Sequence, residues 1–132
     1  MQINNECVRD LLLTIEKVTT YKCTFDFYGV KSKYETLSDY EGDMLSYHIR
    51  YLLMSDILFA PDEIHNEKPG EFHVDLTPKG HEFLNTIRDG KVWSKTKELI
   101  GDACAFSLKI VSATAEGVAK AYLTQKYGIP FS

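Results

Sequence analysis

The stretch Leu45-Ser46-Tyr47-His48-Ile49-Arg50-Tyr51-Leu52-Leu53-Met54-Ser55-Asp56-Ile57-Leu58 decides how this chain reads. At about 100° per residue, Leu45, Ile49, Leu52 and Leu53 fall on one arc of a helix. Asp43, Tyr47, Arg50, Tyr51 and Met54 fall on the opposite face, and Ser46 and His48 flank the apolar stripe. The spacing predicts a helix over 43–55 that runs into a short strand over 57–60.

Downstream, Phe72, Val74 and Leu76 alternate with His73 and Asp75, the period of a half-buried strand. Thr77 then caps a new helix with Pro78 at its first position. Gly80, early in that helix, points to close approach of a neighbour. Phe83, Leu84 and Ile87 face inward, and Asp89-Gly90 ends the run. Between the two strands, Pro61 to Gly70 is a charged turn with the shape of a wing.

Working outward, Cys7, Val8, Leu11, Leu12, Ile15 and Val18 make one face of a first helix, capped by Asn4 or Asn5. Tyr21, Cys23, Phe25 and Phe27 alternate with polar residues as a strand that Gly29 breaks. Leu37 to Glu41 reads as a short second helix, with Gly42 as the turn, or as a run straight into the next helix. Toward the C-terminus, Val92-Trp93 opens a short helix including Leu99 and Ile100, with Trp93 as a core anchor. A last helix starts at Gly101-Asp102, places Ala103, Phe106, Ile110, Gly117, Val118 and Ala121 on one face, and ends before Gly128. Its small residues fit either core packing or a dimer seam.

Helix, strand, turn, strand, helix is the order of a winged helix-turn-helix. The expected fold is therefore mainly α with a small β component (α+β): a winged helix with a β-hairpin wing over residues 1–90. Two added C-terminal helices over 91–132 pack on the same core, so that the whole is a single domain.

Ser46-Tyr47-His48-Ile49-Arg50-Tyr51-Leu52 followed by Ile57-Leu58 resembles the recognition helix and first wing strand of winged-helix repressors. Those repressors usually carry Gly near the end of that helix, where this chain has Ser55-Asp56. A longer resemblance is to DUF2513, a bacterial and phage family of unknown function. It rests on Tyr47-His48, on Leu76-Thr77-x-x-Gly80-His81-Glu82-Phe83-Leu84, on Ile87-Arg88-Asp89, on Val92-Trp93-x-Lys95-Thr96-Lys97, and on Leu123-x-x-Lys126-x-Gly128. The resemblance implies a winged-helix fold and a frequent home in prophages and mobile elements, and it supplies no catalytic or binding residues.

The chain has 132 residues, 44% hydrophobic and 26% charged, ordinary values for a globular protein. No apolar run approaches the roughly 20 residues of a membrane span, and the N-terminus shows no signal-peptide pattern, so a cytoplasmic protein is expected. Cys7, Cys23 and Cys104 lack metal-ligand spacing and read as small hydrophobes. His48, His65, His73 and His81 form no metal motif, and no nucleophile–base arrangement or phosphate loop is visible. The expectation is a non-enzymatic protein with no catalytic residues, no metal and no cofactor.

Charge is the main constraint on function. The net charge is −4. Residues 35–75 hold ten acids and only two bases, Arg50 and Lys68. Two readings of the helix over 43–55 follow. In the first it reads DNA, with Ser46, Tyr47 and Arg50 in the major groove and Lys31 and Lys33 on phosphates. A homodimer would suit that role. Asp43, Asp62, Glu63, Glu67 and Glu71 argue against it, since they would face phosphates at like charge. In the second, Tyr47, Tyr51 and Met54 form a patch in an acidic field that suits a basic protein partner. That partner would be a host protein engaged by a phage or prophage factor.

Overall fold

A computed structural model of the chain describes residues 1–61, 70–101 and 107–128. It is a mixed α/β structure with two compact units, Met1–Glu82 and Phe83–Ser132. Asp62, Glu63, His65, Glu67 and Lys68 of the expected wing, together with Ala103, Cys104 and Phe106, lie outside the described residues.

The first unit opens with α1 (Asn5–Val18). Asn4 caps it, its side-chain oxygen accepting the Cys7 N–H at 3.1 Å. Cys7, Val8, Leu11, Leu12 and Ile15 are buried as their spacing requires. Each such aliphatic side chain contributes about 1.5–3 kcal/mol on leaving water. Strand β1 (Phe25–Tyr28) buries Phe25 and Phe27. The expected strand from Tyr21 is shorter than its alternation suggested. Thr20 and Cys23 exchange backbone hydrogen bonds at 2.9 and 3.2 Å, closing a turn that leaves Tyr21 and Cys23 exposed.

The expected second helix over 37–41 is instead a 3₁₀ turn, Glu35–Leu37. Its bonds are of the i→i+3 type, from Leu37 N–H to Tyr34 and from Ser38 N–H to Glu35. Side chains pin the segment to α1 before an α-turn can develop. Leu37 is fully buried, the Thr36 and Thr14 hydroxyls meet at 2.6 Å, and Tyr40 donates to Asp10 at 2.7 Å.

Helix α2 (Gly42–Met54) follows the predicted boundaries within one residue and buries Leu45, His48, Ile49 and Leu52. Strands β2 (Leu58–Phe59) and β3 (Glu71–Leu76) complete a three-stranded antiparallel sheet of order β1-β3-β2. Phe25 pairs with Val74, Asp26 with His73, and Leu58 with Leu76. Helix α1 packs on β3, on the 3₁₀ turn and on α2.

Asp56, between α2 and β2, has φ of 61°. It occupies the left-handed region that favours glycine, and aspartate tolerates it better than most residues. Asp56→Gly is therefore expected to hold or raise the melting temperature. Asp56→Val should cost about 1–2 kcal/mol, readable by thermal denaturation of the two variants.

Helix α3 (Pro78–Ile87) begins in the first unit and ends in the second. In the second unit, α4 (Gly90–Ile100) is capped by the Asp89 carboxylate, which accepts the Lys91 and Val92 N–H groups at 2.8 and 3.1 Å. Those bonds hold the Asp89 carboxyl below its usual range. Trp93 is buried. Helix α5 (Leu108–Tyr127) packs on α4. It starts later than expected, with Ser107 as cap, and its buried stripe is Val111, Ala115 and Val118. Ile110, Gly117 and Ala121, expected on the packed face with Val118, are exposed. Alanines on every side give this helix no clear apolar face, so its period could not orient it.

Candidate functional site

The solvent side of α2 carries the residues singled out from sequence. Tyr47, Arg50, Tyr51 and Met54 stand at i, i+3, i+4 and i+7, one face of the helix. The Arg50 guanidinium lies 5.3 Å from the centre of the Tyr47 ring, a cation–π stack. Tyr47 in turn meets the buried His48 ring edge-on at 6.0 Å. Tyr51 is half-buried, and Met54 is 82% exposed. A large apolar side chain so open on a helix otherwise anchored in the core is unexplained by packing.

Ser46 sits at the margin of this face. A Cβ at Gly70 would stand 3.5 Å from its hydroxyl and 3.2 Å from the Gly29 Cα, so Ser46 faces the close crossing of Gly29 and Gly70. At the start of α2, Gly42 also abuts Gly29, whose carbonyl oxygen lies 2.4 Å from where a Gly42 side chain would begin. Lys31 and Lys33 are exposed in the segment that leaves this crossing. Lys33 caps the Tyr34 ring at 5.3 Å, and Tyr34 stacks on Phe25 at 5.4 Å. The structure thus gathers Tyr47, Arg50, Tyr51 and Met54 into one patch, with Ser46 at its edge and Lys33 held on a different aromatic.

The helical spacing puts His48 on the flank of the apolar stripe. It is fully buried. The Asn4 backbone N–H donates to Nε2 at 2.8 Å, and Nδ1 meets the Met44 carbonyl at 2.8 Å. An N–H can only donate and a carbonyl can only accept, so the ring is neutral with its proton on Nδ1. Burial pushes its pKa below 6.5, against a smaller upward effect of the Met44 bond.

A second polar group lies across the sheet. His73 bonds Asp26 at 2.7 Å through Nδ1 and Glu71 at 3.0 Å through Nε2. Thr24 donates to the same Asp26 oxygen at 2.6 Å, and Tyr28 packs edge-on against the imidazole at 5.7 Å. Desolvation lowers the His73 pKa, but the two carboxylates more than offset it, and the net shift is upward from 6.5. Strand register brings Asp26 and His73 together, which alternation within either strand could not reveal.

Among the described residues, no three His, Cys, Asp or Glu side chains are arranged to hold a metal ion. Burial pushes the Cys7 thiol up to about 12, with Asp10 adding to the shift, so Cys7 is a packing residue. No described helix is long and apolar enough to cross a membrane.

No curated protein and no solved structure matches the chain. The profile of DUF2513, described as a hypothetical protein, matches residues 2–106, which takes in every element from α1 to α4 and stops short of α5. The match spans most of the chain, and the protein belongs to the DUF2513 family.

Proposed function

We propose that Met1–Glu82 is a winged helix that binds a basic surface of another protein through the outer face of α2. The order α1, β1, α2, β2, β3 and the β1-β3-β2 sheet support the winged-helix reading, in which the second helix is reduced to a 3₁₀ turn. The observation that carries the binding reading is the patch of Arg50 stacked on Tyr47 beside the open Met54. Tyr, Met and Arg are the residue types enriched at protein interfaces, and a pre-stacked arginine loses less freedom on docking. The unit around it holds fifteen acids and eight bases, a net −7, which attracts a basic partner and repels phosphates. In this reading the protein is an adaptor or inhibitor rather than an enzyme.

The DNA reading uses the same helix, with Arg50 on a base and Lys31 and Lys33 on phosphates. Fluorescence anisotropy with a random-sequence duplex at low and moderate salt separates the two. The expected result is no binding at moderate salt and no change on Arg50→Ala. Salt-dependent binding that falls by about tenfold or more on Arg50→Ala, and also on Lys31→Ala with Lys33→Ala, would overturn the proposal.

A further inference from the structure

The second unit carries a surface feature that the α2 patch does not use. Between α4 and α5 runs a groove of 510 Å³, walled by Leu99 of α4 and by Ala113, Gly117, Val118, Ala121 and Tyr122 of α5, with Lys95 on its α4 wall. Leu99 is 58% exposed there. Of the 20 residues of α5, Val111, Ala115 and Val118 are buried, and more than half of the helix is exposed among the described residues.

Gly117 is the telling position. Glycine is the poorest helix former after proline, and it is usually kept in a helix where a neighbour comes too close for a side chain. Here a Cβ would meet nothing within 4 Å, so no neighbour among the described residues accounts for it. With Ala113 and Ala121 one turn to either side, it leaves a smooth channel in which another helix can approach closely.

Charge selects the occupant. Helices α4 and α5 carry six lysines, Lys91, Lys95, Lys97, Lys109, Lys120 and Lys126, against two glutamates, Glu98 and Glu116. Lys91 stands one turn before Lys95, and Lys109 one turn before Ala113, extending both walls with cations. A second copy of α5 would bring like charge to this surface. Nucleic acid would match the charge but leave Leu99 and the apolar channel unused. We infer that the α4–α5 groove docks an acidic amphipathic helix of another protein, its apolar stripe in the channel and its carboxylates on the flanking lysines. This inference stands independently of the α2 patch.

The test uses the full chain and three fluorescein-labelled amphipathic peptides. They share one leucine stripe at i, i+3, i+4 and i+7 and carry Glu, Gln or Lys at the remaining positions. The Glu peptide should bind at least about tenfold more tightly than the Lys peptide. Gly117→Leu puts a side chain into the channel from a position where a Cβ meets no described residue within 4 Å, so it should keep the wild-type melting temperature or raise it while weakening the Glu peptide by about tenfold or more. Lys95→Glu should weaken the Glu peptide and strengthen the Lys peptide. Equal affinity for the three peptides, absence of binding, or binding that survives Gly117→Leu would overturn the proposal. So would a dimer, seen by sedimentation, that Gly117→Leu dissolves, because the groove would then belong to a second copy. Duplex DNA displacing the Glu peptide through Lys91 and Lys95 would overturn it as well.

Discussion

Gly80→Ala is expected to destabilise the protein by about 3 kcal/mol or more, enough to remove much of the stability of a domain this size. A Cβ at Gly80 would lie 2.2 Å from the Ile57 carbonyl oxygen and 3.1 Å from its carbon. Both atoms are backbone, so neither can swing aside. The same carbonyl accepts the Thr77 N–H at 3.0 Å and the Thr77 hydroxyl at 3.1 Å, while Thr77 Oγ1 accepts the Gly80 N–H at 2.9 Å. Retreat of α3 would pull this cluster apart and uncap the helix. Gly90→Ala serves as the control. No described residue stands within 4 Å of its Cβ position, so it should be neutral or stabilising by up to about 1 kcal/mol. Urea unfolding of the two variants checks both. Equal midpoints would mean that α3 does not approach Ile57 this closely.

The second large effect is at His48. His48→Leu keeps an apolar side chain in the core but deletes the acceptor for the Asn4 N–H and the donor to Met44. The cost should be about 2–3 kcal/mol, from one orphaned backbone donor and imperfect packing. The pH dependence identifies the cause. The folded His48 pKa lies below the unfolded value of 6.5, so the unfolded chain takes up a proton that the native ring refuses. Stability from this group is fully present above pH 6.5 and declines as pH falls below it, by at most about 1.4 kcal/mol per pH unit. His73 has the opposite sign. Its folded pKa is raised, so its contribution is fully present below pH 6.5 and is lost as pH rises through the folded value. In denaturation series across this range, His48→Leu should flatten the acid limb. His73→Gln should flatten the decline at higher pH. An acid limb unchanged in His48→Leu would show that another group carries it.

Much of this architecture was legible in residue order. The apolar arc of Leu45, Ile49 and Leu52 gave α2 almost to the residue, and Thr77-Pro78 with Gly80 marked both the start of α3 and its tight contact. The failures have physical causes. Alternation at Tyr21 and Cys23 imitated a strand where a local turn satisfies the backbone. The 3₁₀ turn at Glu35–Leu37 is set by hydroxyl and carboxylate contacts to α1, which leave no trace in hydrophobic period. His48 stood at the edge of a periodic stripe, and its burial depends on a backbone N–H 44 residues away. The candidate site was legible as a helix face, since Tyr47, Arg50, Tyr51 and Met54 needed only the helical period to meet. The stacking of Arg50 on Tyr47 and the turning of Ser46 toward Gly70 depend on rotamers and tertiary approach, which helical period does not encode.

On the proposed function, the outer face of α2 meets a protein. A photo-crosslinking amino acid at position 54, introduced into the full chain in the cells that make it, tests that most directly. The expected result is a covalent adduct to one protein with a basic surface, formed by a variant that keeps the wild-type melting temperature and lost when Arg50→Ala or Tyr51→Ala is added. Adducts to nucleic acid, or a protein adduct that persists in both variants, would contradict it.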